Sequence, residues 1–448
     1  MSRTKDMTTG KPSKLILQFA LPLVVTNMGQ QFYMIADAAI VGRGVGVAAL
    51  ASVGSADWIY WLILWTVIGL TQGFSTFISR YFGDKNYKDM NNTIAMSVIL
   101  CAVIGIILTV AGILVARPVL EGLDTPSNII DGAEIYLVTM VSGTLVVSAY
   151  NMASSILRAF GDGKSPLVAM LIAAVLNIGM DLLFVMTFNW GIFGAAFASV
   201  LAQLVSFIYC FVQIKKIDCV NVDRVAWKLN FSMLKKLLRF SVPLALQYMV
   251  IALGGIILQS TINLQGSAFV AGYTAVNKLY GFLECTAISL GAAFTTFFAQ
   301  NFGAGKNNRV KEGIKTGIRL CLISSIIISA VILVFGKSML QLFLDITEKD
   351  GMKALEIGWH YLWIMALCMA ILYIIYVYRS VLQAAEISVW SMISGFGEFA
   401  VRVIMGKVII HWTGIDTLFF IEPVAWVAAL LFVMVPYYIK KGNLYEKL

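Results

Sequence analysis

Twelve runs of mostly apolar residues dominate the chain, and each is long enough to cross a bilayer core, which takes about 20 residues of helix. They lie near 15–40, 53–78, 93–116, 134–157, 166–188, 191–214, 237–262, 268–297, 314–335, 358–382, 388–410 and 417–439. In lipid every backbone N–H and C=O must be satisfied within the protein, so such runs fold as helices. Composition agrees, since 59% of the residues are hydrophobic and 13% charged, whereas soluble domains carry about 25% charge. The fold class expected is an all-α integral membrane protein of twelve transmembrane helices.

A net charge of +9 is also found in nucleic-acid binders, but here the basic residues sit between apolar runs. Six of the intervening segments (the N-terminus, 79–92, 158–165, 215–239, 303–319 and the C-terminus) hold 24 Lys and Arg. The opposite loops hold six: Arg43, Arg117, Lys337, Lys349, Lys353 and Lys407. Cytoplasmic loops are the basic ones, so both termini are expected in the cytoplasm, and no nucleic-acid partner is expected. Lys278, Arg379 and Arg402 fall within spans. The six cysteines lack CxxC pairs and read as small core residues, not as a disulfide or metal framework. The polar N-terminus leads into a run too long for a signal-peptide core, so no cleaved segment is expected.

The chain repeats itself. KLILQFALPLVV at 14–25 is similar to KKLLRFSVPLAL at 235–246, pairing Pro22 with Pro243. SRYFGDKNYKDM at 79–90 is echoed by AQNFGAGKNNRV at 299–310. Six spans per repeat is an even number, so the repeats enter the membrane in the same sense, as parallel repeats related by an axis along the membrane normal. The expected organisation is an N-terminal six-helix lobe (1–214), a cytoplasmic loop (215–236) and a C-terminal six-helix lobe (237–448), with a shared central cleft.

Ionisable groups inside spans are costly and usually functional. Asp37 lies near the outer end of span 1, Asn177 and Asp181 share a face of span 5 at i,i+4, and Ser199 lies in span 6. At about 1.5 Å per residue, Asp37, Asp181 and Ser199 fall roughly 6–12 Å below the outer surface, with Asn177 about 5 Å deeper. Two carboxylates, an amide and a hydroxyl then occupy one layer. Such oxygens suit a hard cation such as Na⁺, and two close buried acids equally suit a shared proton. A blander alternative leaves Asp37 in an aqueous vestibule and Asn177 bonded to a neighbouring helix. Pro22 breaks the hydrogen-bond ladder of span 1 and predicts a kink.

The second half matches poorly on acids, with Gln259 opposite Asp37. Glu398 and Arg402, at i,i+4 in span 11, are expected to neutralise each other, and Glu422 is expected at the interface. Lys278 and Glu284 lie on different faces of span 8, and Glu284 is a candidate contact for a cationic substrate. Enzyme motifs fail. GDGKS at 161–165 lacks the earlier glycine of a phosphate-binding loop, since Arg158 stands there. With two histidines no HExxH site is present. The chain is therefore expected not to be an enzyme and to need no cofactor beyond a coupling ion.

ALPLV followed by DAAIVGRGVGVAALA, then ILRAFGDGKSP, LNIGMDLLF and GAAFASV, in this order on twelve spans, resembles the multidrug and toxic compound extrusion (MATE) family, closest to its bacterial DinF-like branch. The resemblance covers the whole chain. It implies two six-helix lobes around a V-shaped cleft, and export of amphipathic, often cationic small molecules against Na⁺ or H⁺ entry across a bacterial cytoplasmic membrane by a monomer in contact with lipid. It assigns the cation site to Asp37, Asn177, Asp181 and Ser199 (usually Thr), the surrounding network to Asn151, and the kink to Pro22. Gln30, Tyr33, Met34, Gln247, Gln259 and Glu284 are the candidate cleft residues. A second cation site in the C-terminal lobe, which other branches build from acids in spans 7 and 10, finds no such acids here. The alternatives are a lipid-linked oligosaccharide flippase of the same broader superfamily, or a passive channel.

Overall fold

The computed structural model describes residues 4–344, 347 and 350–446; Arg3, Lys349 and Lys447, counted above among the loop charges, lie outside them. The elements in chain order are α1 (Pro12–Gly44), α2 (Val47–Gly83), α3 (Tyr87–Gly122), α4 (Ile130–Ser142), α5 (Thr144–Ala159), α6 (Lys164–Asp181), a π turn (Leu182–Thr187), α7 (Gly191–Ile214) and α8 (Phe231–Asn263). They continue with α9 (Ser267–Gly303), α10 (Asn307–Leu340), α11 (Gly351–Ala384), α12 (Ser388–Ile404), a second π turn (Met405–Ile409), α13 (Ile410–Thr413) and α14 (Thr417–Glu446). No strand occurs among the described residues. Nine helices there are long and apolar enough to cross a membrane, and α4 with α5, bent by 47°, makes a tenth. With α1 and the α12–π–α13 composite these are the twelve spans. The break between α4 and α5 falls at Ser142–Gly143, a pair at which helices commonly kink.

Each repeat closes its first two helices with the same device. Gly46 has φ +119 and Gly266 φ +91, a left-handed region open to glycine without steric penalty. Of the glycines after Asp37, only Gly46 makes the turn; Gly42 and Gly44 are helical. At 161–165 the Asp162 carboxylate accepts bonds from the Lys164 and Ser165 amides, both at 3.0 Å. This is an acidic cap on the start of α6, and it leaves no role for the loop as a phosphate cradle.

The chain forms two compact units, one of Met1–Asp6 with Leu21–Ala245, the other of Met7–Ala20 with Leu246–Leu448. Both α1 and α8 change unit close to their internal prolines, Pro22 and Pro243. Pro22 cannot donate to the carbonyl four residues back, and the Thr26 hydroxyl donates to the Pro22 carbonyl at 2.8 Å.

In the first unit, the core around Phe74, Phe77, Phe160 and Phe240 brings α2 against α8 through Gly69 and Gly73, a small-xxx-small pair that lets helix backbones approach. A Cβ on Gly73 would stand 2.2 Å from Ser241 Oγ and 2.8 Å from its Cα. Gly73→Ala is therefore expected to cost about 1–3 kcal/mol by overpacking, read as a lower melting temperature in detergent. Gly54→Ala, with nothing within 4 Å of the new Cβ, is expected to leave it unchanged. Nearby, burial pushes the Cys219 thiol above its ordinary pKa, which keeps it a neutral, unreactive group.

In the second unit α9 is the central helix, with Phe294, Phe297 and Phe298 fully buried. It meets α11 closely, since a Cβ on Gly272 would stand 2.5 Å from the Ala354 carbonyl oxygen. The repeated loop motif acquires a structural task here. Gln300 Oε1 accepts from the Met7 amide at 2.8 Å, while Asn301 and Arg309 donate to the Met7 carbonyl at 3.1 and 3.2 Å. These bonds hold the buried Met7.

The intramembrane charges of this unit include the expected i,i+4 pair of Glu398 and Arg402, set within a wider network. Arg402 grips Glu422 with two bonds of 2.9 Å and lies 3.6 Å from Glu398. Glu398 also takes Arg379 at 2.5 Å. Glu422 is buried within the protein, 9% exposed, and Arg402 holds it. Helix crossings bring α11, α12 and α14 together, and a bidentate guanidinium–carboxylate pair is stronger than the strained reach along one helix. Lys278 is exposed.

Candidate functional site

Asp181 is the last residue of α6, immediately before the π turn. In that turn the Phe188 amide donates five residues back to Leu183 at 2.9 Å, and the Trp190 amide donates to the Phe184 carbonyl. π turns widen a helix by one residue and often occur at functional positions. This one lies beneath an aromatic cluster of Phe184, Phe188, Trp190, Phe193 and Phe197, with ring centroids 4.9–6.5 Å apart. Rings of this kind favour the membrane–water boundary. The second repeat carries its own π turn at the matching place in its fifth span.

Asp37 on α1 and Asp181 on α6 lie close enough for their carboxyls to interact. Asp181 is fully buried and Asp37 half-buried. Both Asp181 oxygens and Asp37 Oδ1 are buried with no hydrogen-bond donor. Asn177, one turn before Asp181 and 1% exposed, donates through Nδ2 to Ser199 Oγ on α7 at 3.2 Å. Its Oδ1 is buried and also lacks a donor. The four residues singled out by depth thus gather from three helices. Two carboxylates this close and this dry repel unless a positive charge stands with them, either a shared proton or a metal cation. The unsatisfied oxygens are all acceptors, which is what a hard cation or a proton requires. Among the described residues no group of three His, Cys, Asp or Glu could hold a metal ion. Any cation here therefore relies on two acids plus neutral oxygens.

The other expected residues scatter. Tyr33, one turn before Asp37, interacts electrostatically with both acids and lines a small cavity with Gln30. Met34 is half-buried. Asn151 donates to the Val147 carbonyl of its own helix at 2.9 Å, and its neighbour Tyr150 lines the cavity instead. In the second unit Gln247 is 3% exposed, pressed against Gly395. Gln259 bonds Asn263 along α8 at 2.8 Å. Half-buried Glu284 accepts from the Tyr376 hydroxyl at 3.1 Å.

Sequence reasoning missed Asp57 of α2, which accepts from the Tyr136 hydroxyl at 3.2 Å, with Tyr136 in the electrostatic neighbourhood of Asp37. It also missed Gln203 and Ser206, which line the same cavity as Asn177 and Ser199. Gln203 and Ser206 stand at i+4 and i+7 from Ser199, a spacing that puts the three on one face of α7.

Comparison with known proteins agrees with this geometry. The MatE family model matches residues 22–183 and 243–408, one segment in each repeat. The probable multidrug resistance protein YpnP of Bacillus subtilis is 31% identical over 363 residues, 80% of each chain. A second Bacillus subtilis protein, the probable multidrug resistance protein YoeA, is 28% identical over 410 residues, 89% of this chain and 87% of its own. Among solved structures, an outward-facing multidrug resistance transporter of the MATE family superposes with a TM-score of 0.90 at 20% identity, covering 98% of both chains. With both repeats matched, and with relatives that fit the bacterial DinF-like branch, the chain belongs to the MATE family of multi-pass membrane transporters.

Proposed function

We propose that this transporter is a secondary antiporter, exporting amphipathic, cationic small molecules in exchange for inward movement of Na⁺ or H⁺. The observation that carries this reading is the facing pair of Asp37 and Asp181, buried with carboxylate oxygens that no protein group satisfies. Asn177 and Ser199 supply neutral oxygen beside the pair, and Pro22 gives α1 a place to bend beneath Asp37. Relatives named as multidrug resistance proteins support the substrate class. Substrate contacts are proposed at Gln30, Tyr33 and Met34 in the first unit and at Glu284 in the second. In this reading the protein works as a monomer in the bacterial cytoplasmic membrane, and the 24 basic residues on one side support both termini lying inside. One positive charge moving inward gains about 2.3 kcal/mol per 100 mV, and exporting a monovalent cationic substrate costs the same, so one-for-one exchange is driven by the concentration gradient of the coupling ion alone.

The test is efflux of a cationic dye from proteoliposomes with Na⁺ and pH gradients imposed separately. One gradient is expected to drive efflux while the other does not. Conductance without dye coupling would instead identify a channel.

A further inference from the structure

A cavity of about 40 Å³ lies in the first unit between α1, α5, α6 and α7. Asn177 and Ser199 form its upper wall, and Gln203 and Ser206 continue it down α7, away from the aromatic cluster. It has room for roughly two or three waters, or one ion that keeps part of its hydration. Ser199, Gln203 and Ser206 are at i, i+4 and i+7 and so share one face of α7, with Gln203 about 6 Å further along than Ser199.

The polar atoms here are not arranged as a closed network. The Ser206 hydroxyl is committed to the Ala169 carbonyl at 3.0 Å. Gln203 Oε1 is buried with no donor, as is Asn177 Oδ1 at the other end. A buried amide oxygen without a partner is expensive, and two of them around one cavity make a place for something positive or hydrogen-bearing. Neutral amide and hydroxyl oxygens hold a small cation more weakly than carboxylates do, which suits a site that must let go. The basic segments place this end of α7 on the cytoplasmic side.

We propose that Gln203 forms an inner cation station, a second and weaker stop for a small monovalent cation (Na⁺ or hydronium) between the Asp37–Asp181 pair and the cytoplasmic end of α7. The proposal rests on the cation-coupled reading above. The cation leaves the acids past Asn177 Oδ1, is held transiently by Gln203 Oε1 with water in the cavity, and passes inward beyond Ser206.

The experiment compares wild type with Gln203→Leu, Gln203→Met and Gln203→Glu in proteoliposomes, each driven by a Na⁺ gradient and by a pH gradient in separate arms. Maximal rate and half-saturating concentration of the driving ion are read for each variant. Gln203→Leu and Gln203→Met are expected to lower the maximal rate at least tenfold while the half-saturating concentration stays within threefold. Gln203→Glu, which keeps an oxygen, is expected to retain at least a third of the wild-type rate. An unchanged rate in both apolar variants overturns the station, as does a half-saturating concentration that rises in step with the loss of rate, or a Glu variant as slow as Leu. Methionine keeps the length and flexibility of glutamine, so it carries the test if the leucine variant is not monodisperse by size exclusion. A wild type driven by neither gradient overturns the antiport reading itself; a driven wild type with indifferent Gln203 variants overturns the station alone.

Discussion

Ion-driven efflux is expected to collapse in vesicles carrying Asp181→Asn, while folding, measured by melting temperature in detergent, is expected to stay within a few degrees of wild type. The substitution keeps the shape of the side chain and removes the charge that attracts the coupling cation. Truncating one member of a buried charge pair generally costs about 2–5 kcal/mol, which for cation binding is a roughly thirty- to few-thousandfold loss. Asp37→Asn is expected to do the same, because in the proposed site the two carboxyls share one cation. Ser199→Ala removes one neutral oxygen and the bond from Asn177 Nδ2 at 3.2 Å, so its expected cost is only about 0.5–1.5 kcal/mol, or roughly two- to tenfold. This graded order, acids far above the hydroxyl, is the signature to look for. Efflux that survives in either Asn variant would remove the pair from the coupling mechanism.

The outer half of this site was legible because lipid makes a carboxylate conspicuous. Asp37 and Asp181 stand out against their apolar neighbours, and counting residues from the span ends at a fixed rise brings them to one depth together with Asn177 and Ser199. Gln203 and Tyr150 gave no such contrast. An uncharged amide or phenol is tolerated in many helices, and only the cavity in front of it shows that it faces a void and not a neighbour. The π turn after Asp181 was equally hidden, since one inserted residue leaves the apolar pattern of a short run unchanged.

Length and hydropathy located the spans but said little about how they cross. Glu398 and Arg402 stand at the spacing of a helical ion pair and lie 3.6 Å apart, but their shorter partners are Arg379 on α11 and Glu422 on α14. A partner on another helix can meet a guanidinium squarely, with both nitrogens engaged, where a residue on the same helix meets it obliquely. The same limit applies to Gly69 and Gly73: their spacing marks a close helix contact, but only the fold identifies Ser241 and Ala245 as the atoms met.

Arg402→Met is expected to destabilise the second unit more than Gly73→Ala destabilises the first. Arg402 is 7% exposed, and it satisfies both oxygens of Glu422 at 2.9 Å and the Ile251 carbonyl at 3.2 Å. Removing it leaves Glu422 buried without its cation, and breaking a buried pair from one side costs about 3–5 kcal/mol. Taking both partners away is far milder, because apolar or neutral groups of similar volume replace a buried ion pair at little net cost. Arg402→Met combined with Glu422→Gln is therefore expected to recover most of the lost stability, while Arg379 and Glu398 keep each other at 2.5 Å. Thermal unfolding in detergent measures both variants, and a double variant no more stable than the single one would show that Arg402 supports the fold through packing and the Ile251 carbonyl, not through Glu422. Efflux by the rescued double variant then separates stability from transport. If this network only holds α11, α12 and α14 together, the double variant transports at close to the wild-type rate. The coupling chemistry then stays with Asp37 and Asp181 in the first unit.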